Sequence, residues 1–217
     1  MVDFKLPTDL SQSINRAKAL MIAHPEYQLT PFHRREIYQT ISSIGPPVDH
    51  LTQGWLAIAT VQRVLPVWDD SQLYSHMPED LLPEQFLAMS EDVWHESIST
   101  EQAKSISAKA FARLVELAGT APFTEAAGFF VVLAAHAALR EAAGQDPFES
   151  VIIRENHTDA YLDPLCSDAA KYAAAAYSGP VWIPSPQNKR RREFWEWWLD
   201  VAIPEAWQKG VGGYKSA

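Results

Sequence analysis

Residues 123–143, FTEAAGFFVVLAAHAALREAA, decide the fold. The stretch is apolar around nearly its whole helical circumference, and at this length that means a helix enclosed by other helices. His136 interrupts its most apolar part, Ala126 to Ala138, which falls short of the roughly 18 to 20 residues a bilayer crossing requires. It therefore reads as a core helix closed by Gly144. Downstream, about Asp163 to Tyr177 forms a second such helix, with Ala169, Ala170 and Ala173 to Ala176 allowing close backbone approach. Upstream, Ser99, Thr100 and Glu101 open a helix that lines up Ala103, Ile106, Ala110, Leu114 and Leu117 and ends at Gly119. Further helices are expected over 9–23, 31–44, 48–65, 83–94 and 187–201. Pro66 is expected to stop the third of these, and 66–82, without helical period, to be a long surface connection. Val151, Ile152 and Ile153 have the composition of a short strand but no partner. Pro204 opens a final turn, and residues 209–217, with three glycines, read as a flexible C-terminal tail. The expectation is an all-α, single-domain bundle of about eight helices over 1–208, built on an alanine-rich core helix pair.

Composition narrows the function classes. A length of 217 residues suits one domain with a large core. With 27 Asp and Glu against 18 Lys and Arg, the net charge is −9, which disfavours nucleic acid and anionic membrane and makes a basic partner the easier one. The single Cys166 provides neither a disulfide framework nor a multi-Cys zinc site, and the first residues show no secretory signal pattern. A cytoplasmic location is expected, with the Asn156-His157-Thr158 sequon unglycosylated.

Signatures of catalysis are missing. There is no phosphate-cradling loop, no dinucleotide fingerprint and no nucleophile elbow. His95-Glu96 begins like a zincin helix, but Ser99 stands where the second His is needed. Cys166 reads as a small core residue and His136 as a hydrogen-bonded core histidine. The best constellation for an enzyme is Glu155, His157, Asp159, Asp163 and Asp168, a His/Asp cluster over 155–168 that could serve a metal-dependent hydrolase. The competing reading is that the acids precede an alanine-rich helix and cap it. No catalytic residue, cofactor or metal is assigned.

Charge is unevenly placed. Between Arg63 and Lys104 there is no Lys or Arg, while Asp69, Asp70, Glu79, Asp80, Glu84, Glu91, Asp92, Glu96 and Glu101 all fall inside. The whole formal charge is thus confined to the 64–103 window. Such a window on one surface would steer a basic partner, with Asp69, Asp70, Glu79, Asp80, Glu91, Asp92 and Glu96 as candidate contacts. Lys189 to Arg192 stand at the opposite pole, opposing the dipole of the helix they begin. Of the aromatic residues that follow, most should be core, and a surplus of apolar helix faces would suit a homodimer.

The segment Arg192-Glu193-Phe194-Trp195-Glu196-Trp197-Trp198-Leu199, followed by Ala202-Ile203-Pro204-Glu205-Ala206-Trp207, resembles the C-terminal signature of the immunity proteins numbered family five in bacterial polymorphic toxin systems. Arg63 to Trp68, Ile98 to Ala103, Glu141 to Phe148 and Lys171 to Tyr177 resemble the central region of that family and of related immunity proteins. The resemblance spans about residues 50 to 208. It implies an all-helical cytoplasmic antidote, without enzymatic activity, that binds and blocks a cognate toxin domain. Asp159, Asp163, Trp195, Trp197, Trp198 and Trp207 match the signature, and the tryptophans are read as folding the protein.

Overall fold

In the computed structural model, which describes residues 5–120, 127–149, 152–161, 167–180 and 187–216, the chain is helical, and no strand occurs among the described residues. Its helices are α1 (Thr8–Ala23), α2 (Pro31–Ser42), α3 (Val48–Gln62), α4 (Leu65–Asp69), α5 (Pro83–Trp94), α6 (Thr100–Ala118), α7 (Ala127–Ala142), α8 (Ala169–Ser178), α9 (Asn188–Trp197) and α10 (Ile203–Ser216). A π-helical turn, Trp198–Ala202, joins α9 to α10 without a break. With α9 to α10 counted as one rod and the five-residue α4 set aside, the described residues contain the expected eight helices.

The alanine-rich pair forms the axis. From Gly128 to Leu139 every residue of α7 is buried, and α8 lies along it, its alanines letting the backbones close up. Around α7 pack α3, α4, α5 and α6; α1 and α2 pair with each other, and α10 covers α3. Local chemistry sets several starts. Pro31 and Pro83 occupy first-turn positions where a missing N–H costs nothing. At α6 a capping box closes: Gln102 N–H donates to Ser99 Oγ at 3.2 Å and Ser99 N–H to Gln102 Oε1 at 2.9 Å.

Five departures from the sequence expectation stand out. Pro66 does not stop α3, which ends at Gln62, but lies in the first turn of α4, a position proline also favours; α4 then buries Trp68. The rest of the connection buries Leu73, Met77 and Leu81 around two short 3₁₀ turns, so it belongs to the core as much as to the surface. Ile152 and Ile153 form no strand, and no strand among the described residues offers an edge to receive one; Val151 lies outside the described residues. Pro204 stands inside a continuous helix. Its ring nitrogen has no hydrogen for the Asp200 carbonyl, and the ladder widens into the π turn just before it, where Ile203 N–H donates to the Trp198 carbonyl. Residues 209–216, expected as a tail, continue α10. Gly210 allows this packing: a Cβ there would fall 2.3 Å from Thr52 Oγ1 on α3.

Candidate functional site

The α2 sequence places Arg34 on the same stripe as Ile37, Tyr38 and Ile41, so the fold carries a guanidinium into the core, where it is fully buried. All five of its N–H groups find acceptors. Nε donates to Asp168 Oδ2 at 2.9 Å and Nη2 to Asp168 Oδ1 at 3.0 Å. Nη2 and Nη1 hold Asp159 Oδ1 and Oδ2 at 2.7 and 3.1 Å, and Nη1 also donates to the Leu29 carbonyl at 2.6 Å. The Trp195 ring covers the guanidinium at 5.5 Å. Burial by itself would lower the Arg34 pKa, but Asp159 and Asp168 outweigh it and raise it.

A third buried acid completes the cluster. Glu141 Oε1 accepts the Ala169 N–H at 2.8 Å and Oε2 accepts the Tyr38 hydroxyl at 2.8 Å. Burial, and then the nearby Asp168, push the Glu141 carboxyl up to about 8, so at neutral pH it is held protonated. Tyr38 is raised as well, first by burial and then by Glu141. Asp168 stands at the N-cap position of α8 yet its side chain makes no cap bond. Capping is done instead by Glu141, reaching over from α7, while Asp168 is turned onto Arg34. The capping role read from the sequence is corrected accordingly. A pocket of about 20 Å³ bordered by Gln28, Asp159, Lys171, Arg191 and Trp195 adjoins the cluster, room for about one water.

These residues lock α2 to the start of α8, with every N–H of Arg34 engaged. The His/Asp cluster proposed for a hydrolase is divided. Asp159 and Asp168 meet on Arg34, Glu155 is exposed, half-buried His157 accepts the Arg154 N–H at Nδ1 from 3.4 Å, and Asp163 lies outside the described residues. Among the described residues, no three His, Cys, Asp or Glu side chains gather in a way that could hold a metal. Arg34, Tyr38 and Glu141 were missed by sequence reasoning. The available signal was a charge on an apolar stripe: Arg34 lies three and four residues before Ile37 and Tyr38, and Glu141 three and four after Ala138 and Ala137.

Of the signature tryptophans, Trp195, Trp198 and Trp207 are buried and Trp197 is half-buried beneath the Arg63 guanidinium at 5.3 Å. Trp198 Nε1 donates to Thr60 Oγ1 at 3.0 Å. The basic run is answered locally: Arg192 pairs with Glu196 at 2.9 Å, Arg190 lies over Tyr177 at 4.7 Å, and buried Arg191 donates to the carbonyls of Glu26 and Gly179 at 3.4 and 3.3 Å.

The acidic window is distributed over α4, the connection after it, both ends of α5 and the start of α6. Asp69, Asp70, Glu79 and Glu96 are exposed without an ion-pair partner among the described residues, whereas Asp80 pairs with Arg113. Glu84 and Glu101 occupy first helical turns, where an acid stabilises the helix. Glu91 and Asp92 do the opposite: they sit half-buried in the last turn of α5, at the negative end of its dipole, with no cation in that turn. Glu96 holds φ at +56°, a left-handed conformation that side chains other than Gly and Asn seldom adopt.

An all-α bundle with a buried ionic cluster in its interior is the class these features define. The chain belongs to the family of immunity protein Imm5, whose family model matches residues 14–205. That match reaches back past residue 50, where the resemblance read from the sequence began, and so takes in Arg34. None of the curated proteins compared with the chain matches it. Among the described residues, no helix is long and apolar enough to cross a membrane.

Proposed function

We propose that this immunity protein acts as a cytoplasmic antidote: it binds a cognate bacterial toxin domain of basic character and neutralises it by occupying its surface, without chemistry of its own. The observation that carries this reading is that the acids of the 64–103 window include several the fold does not use. Asp69, Asp70 and Glu79 are exposed and unpaired, and Glu91, Asp92 and Glu96 stand where local helix rules disfavour them. Positions that break a local rule without a folding reason are where binding surfaces are found. A field of this sign speeds encounter with a basic partner before it adds affinity.

The test starts by identifying the adjacent gene and expressing its C-terminal domain as the candidate toxin. Co-expression should rescue cells and yield a complex with the purified chain. Association should slow as salt rises, and the combined change Asp69→Lys, Asp70→Lys and Glu79→Lys should cut the association rate constant about tenfold or more at low ionic strength. An association rate equal to wild type in that variant removes the acidic face from the proposal; absence of both rescue and complex removes the toxin.

A further inference from the structure

One cleft belongs to neither the buried cluster nor the acidic window. Between α6 and α7 lies a cavity of about 200 Å³ lined by Lys104, Ser107, Phe111, His136, Arg140 and Gln145. Its floor is His136, 3 % exposed, stacked on Phe111 at 5.8 Å with the ring planes 19° apart. His136 Nε2 lies 3.0 Å from the Ser107 carbonyl, which can only accept, so this nitrogen carries the ring proton. Ser107 Oγ, 2.9 Å from the same nitrogen, is then an acceptor, and the hydrogen of the hydroxyl has no acceptor among the described residues. Ser107 is 2 % exposed, so a buried donor is left for whatever fills the cleft.

Two cations join that donor. Lys104 comes from α6 and Arg140 from the last turn of α7, and no Asp or Glu lines the cleft. The partner of Lys104 is Glu101, one turn back at 3.0 Å and largely solvated, a pair that water and salt weaken readily. Half-buried Arg140 has no ion-pair partner among the described residues. Two like charges thus line one cavity that has no acid in its lining, in a chain whose excess charge is negative.

We propose that the α6/α7 cleft binds a small oxyanion, a phosphate or carboxylate group, with the Arg140 fork and Lys104 as counter-charges and the Ser107 hydroxyl and Gln145 amide completing its hydrogen bonds. The planar guanidinium suits a two-point contact with such a group. A volume of about 200 Å³ lies below that of sites for drug-sized ligands, which selects a compact anion. Because Lys104 and Arg140 stand on different helices, the bound anion bridges α6 to α7 and stabilises the folded chain by mass action. This inference does not depend on the identity of the toxin or on the acidic face.

The experiment uses the purified full chain and follows thermal unfolding and the His136 imidazole resonances during titration with inorganic phosphate and, separately, with acetate, at constant ionic strength set by chloride. At least one oxyanion should raise Tm in a saturating manner and shift the His136 signals; which one does so identifies the group the cleft takes. Arg140→Gln and Lys104→Gln should each weaken the apparent Kd about tenfold, with Ser107→Ala weakening it less and serving as an independent check. Equal effects of chloride and oxyanion, no saturable response to either oxyanion, or variants that titrate like wild type would overturn the proposal.

Discussion

Asp159 and Asp168 share one guanidinium in the interior, whereas Asp69, Asp70 and Glu79 are exposed with no ion-pair partner among the described residues. The same functional group is handled in opposite ways. Inside, every hydrogen-bonding position of Arg34 is matched, because a buried charge without a partner is among the costliest defects a fold can carry. Outside, solvent tolerates uncompensated acids, so they are free to be arranged for an encounter. The interior acids are thus held by the fold, whereas Asp69, Asp70 and Glu79 make no ion pair among the described residues.

The contrast is broken most severely at Arg34. Arg34→Gln removes the guanidinium that the two buried carboxylates share and should cost about 3–5 kcal/mol, read from urea unfolding. A loss below 1 kcal/mol would mean that the cluster is looser than its geometry. Next in size is a pH effect. Glu141 is raised to about 8 when folded, so it keeps a proton that the unfolded chain has already released above its ordinary value near 4.5. Its contribution therefore falls as pH rises from about 4.5 through 8. His136 is lowered to about 4, chiefly by burial, and the unfolded chain takes up a proton from about 6.5 downward. Its contribution is therefore lost as pH falls from 6.5 through 4. The two slopes oppose one another between about 4.5 and 6.5, and above 6.5 only the Glu141 loss remains, about 2 kcal/mol by pH 8. Glu141→Gln should abolish that decline; a decline unchanged in this variant would assign it elsewhere.

Smaller effects test the surface side. Glu96→Gly relieves a left-handed φ and should stabilise by about 0.5–1 kcal/mol while slowing toxin association. A destabilised variant would show that the Glu96 side chain is part of the fold. Asp69→Lys with Asp70→Lys should leave the unfolding midpoint within the about 0.5 kcal/mol expected of surface changes; a larger loss would move these acids into the structural group.

What could be read without coordinates follows the same division. The α7 stretch was legible because its apolar pattern admits one environment, and the α6 start because Ser99 and Gln102 carry their own capping chemistry. Pro66 was misread because a proline both ends and begins helices, and the burial of Trp68 decides between the two. Arg34 and Glu141 were missed although each is a charge on an apolar stripe, and their partners carry no local signal at all. Arg34 finds Asp159 and Asp168 at separations of 125 and 134 residues, a pairing that no local pattern encodes. The acidic window was visible as a sequence interval. Which of its members the fold employs, as with Asp80 on Arg113, required the structure.

The bond from Trp198 to Thr60 spans 138 residues, and α10 lies on the same helix, α3. On a ribosome adding about 5–20 residues per second, α3 emerges roughly 7 to 28 s before the residues that will cover it. During that interval its apolar flank is open to chaperones and to other nascent chains. The α3 flank is therefore closed only once α9 and α10 have been made, and the fold of the first half depends on a segment synthesised long after it.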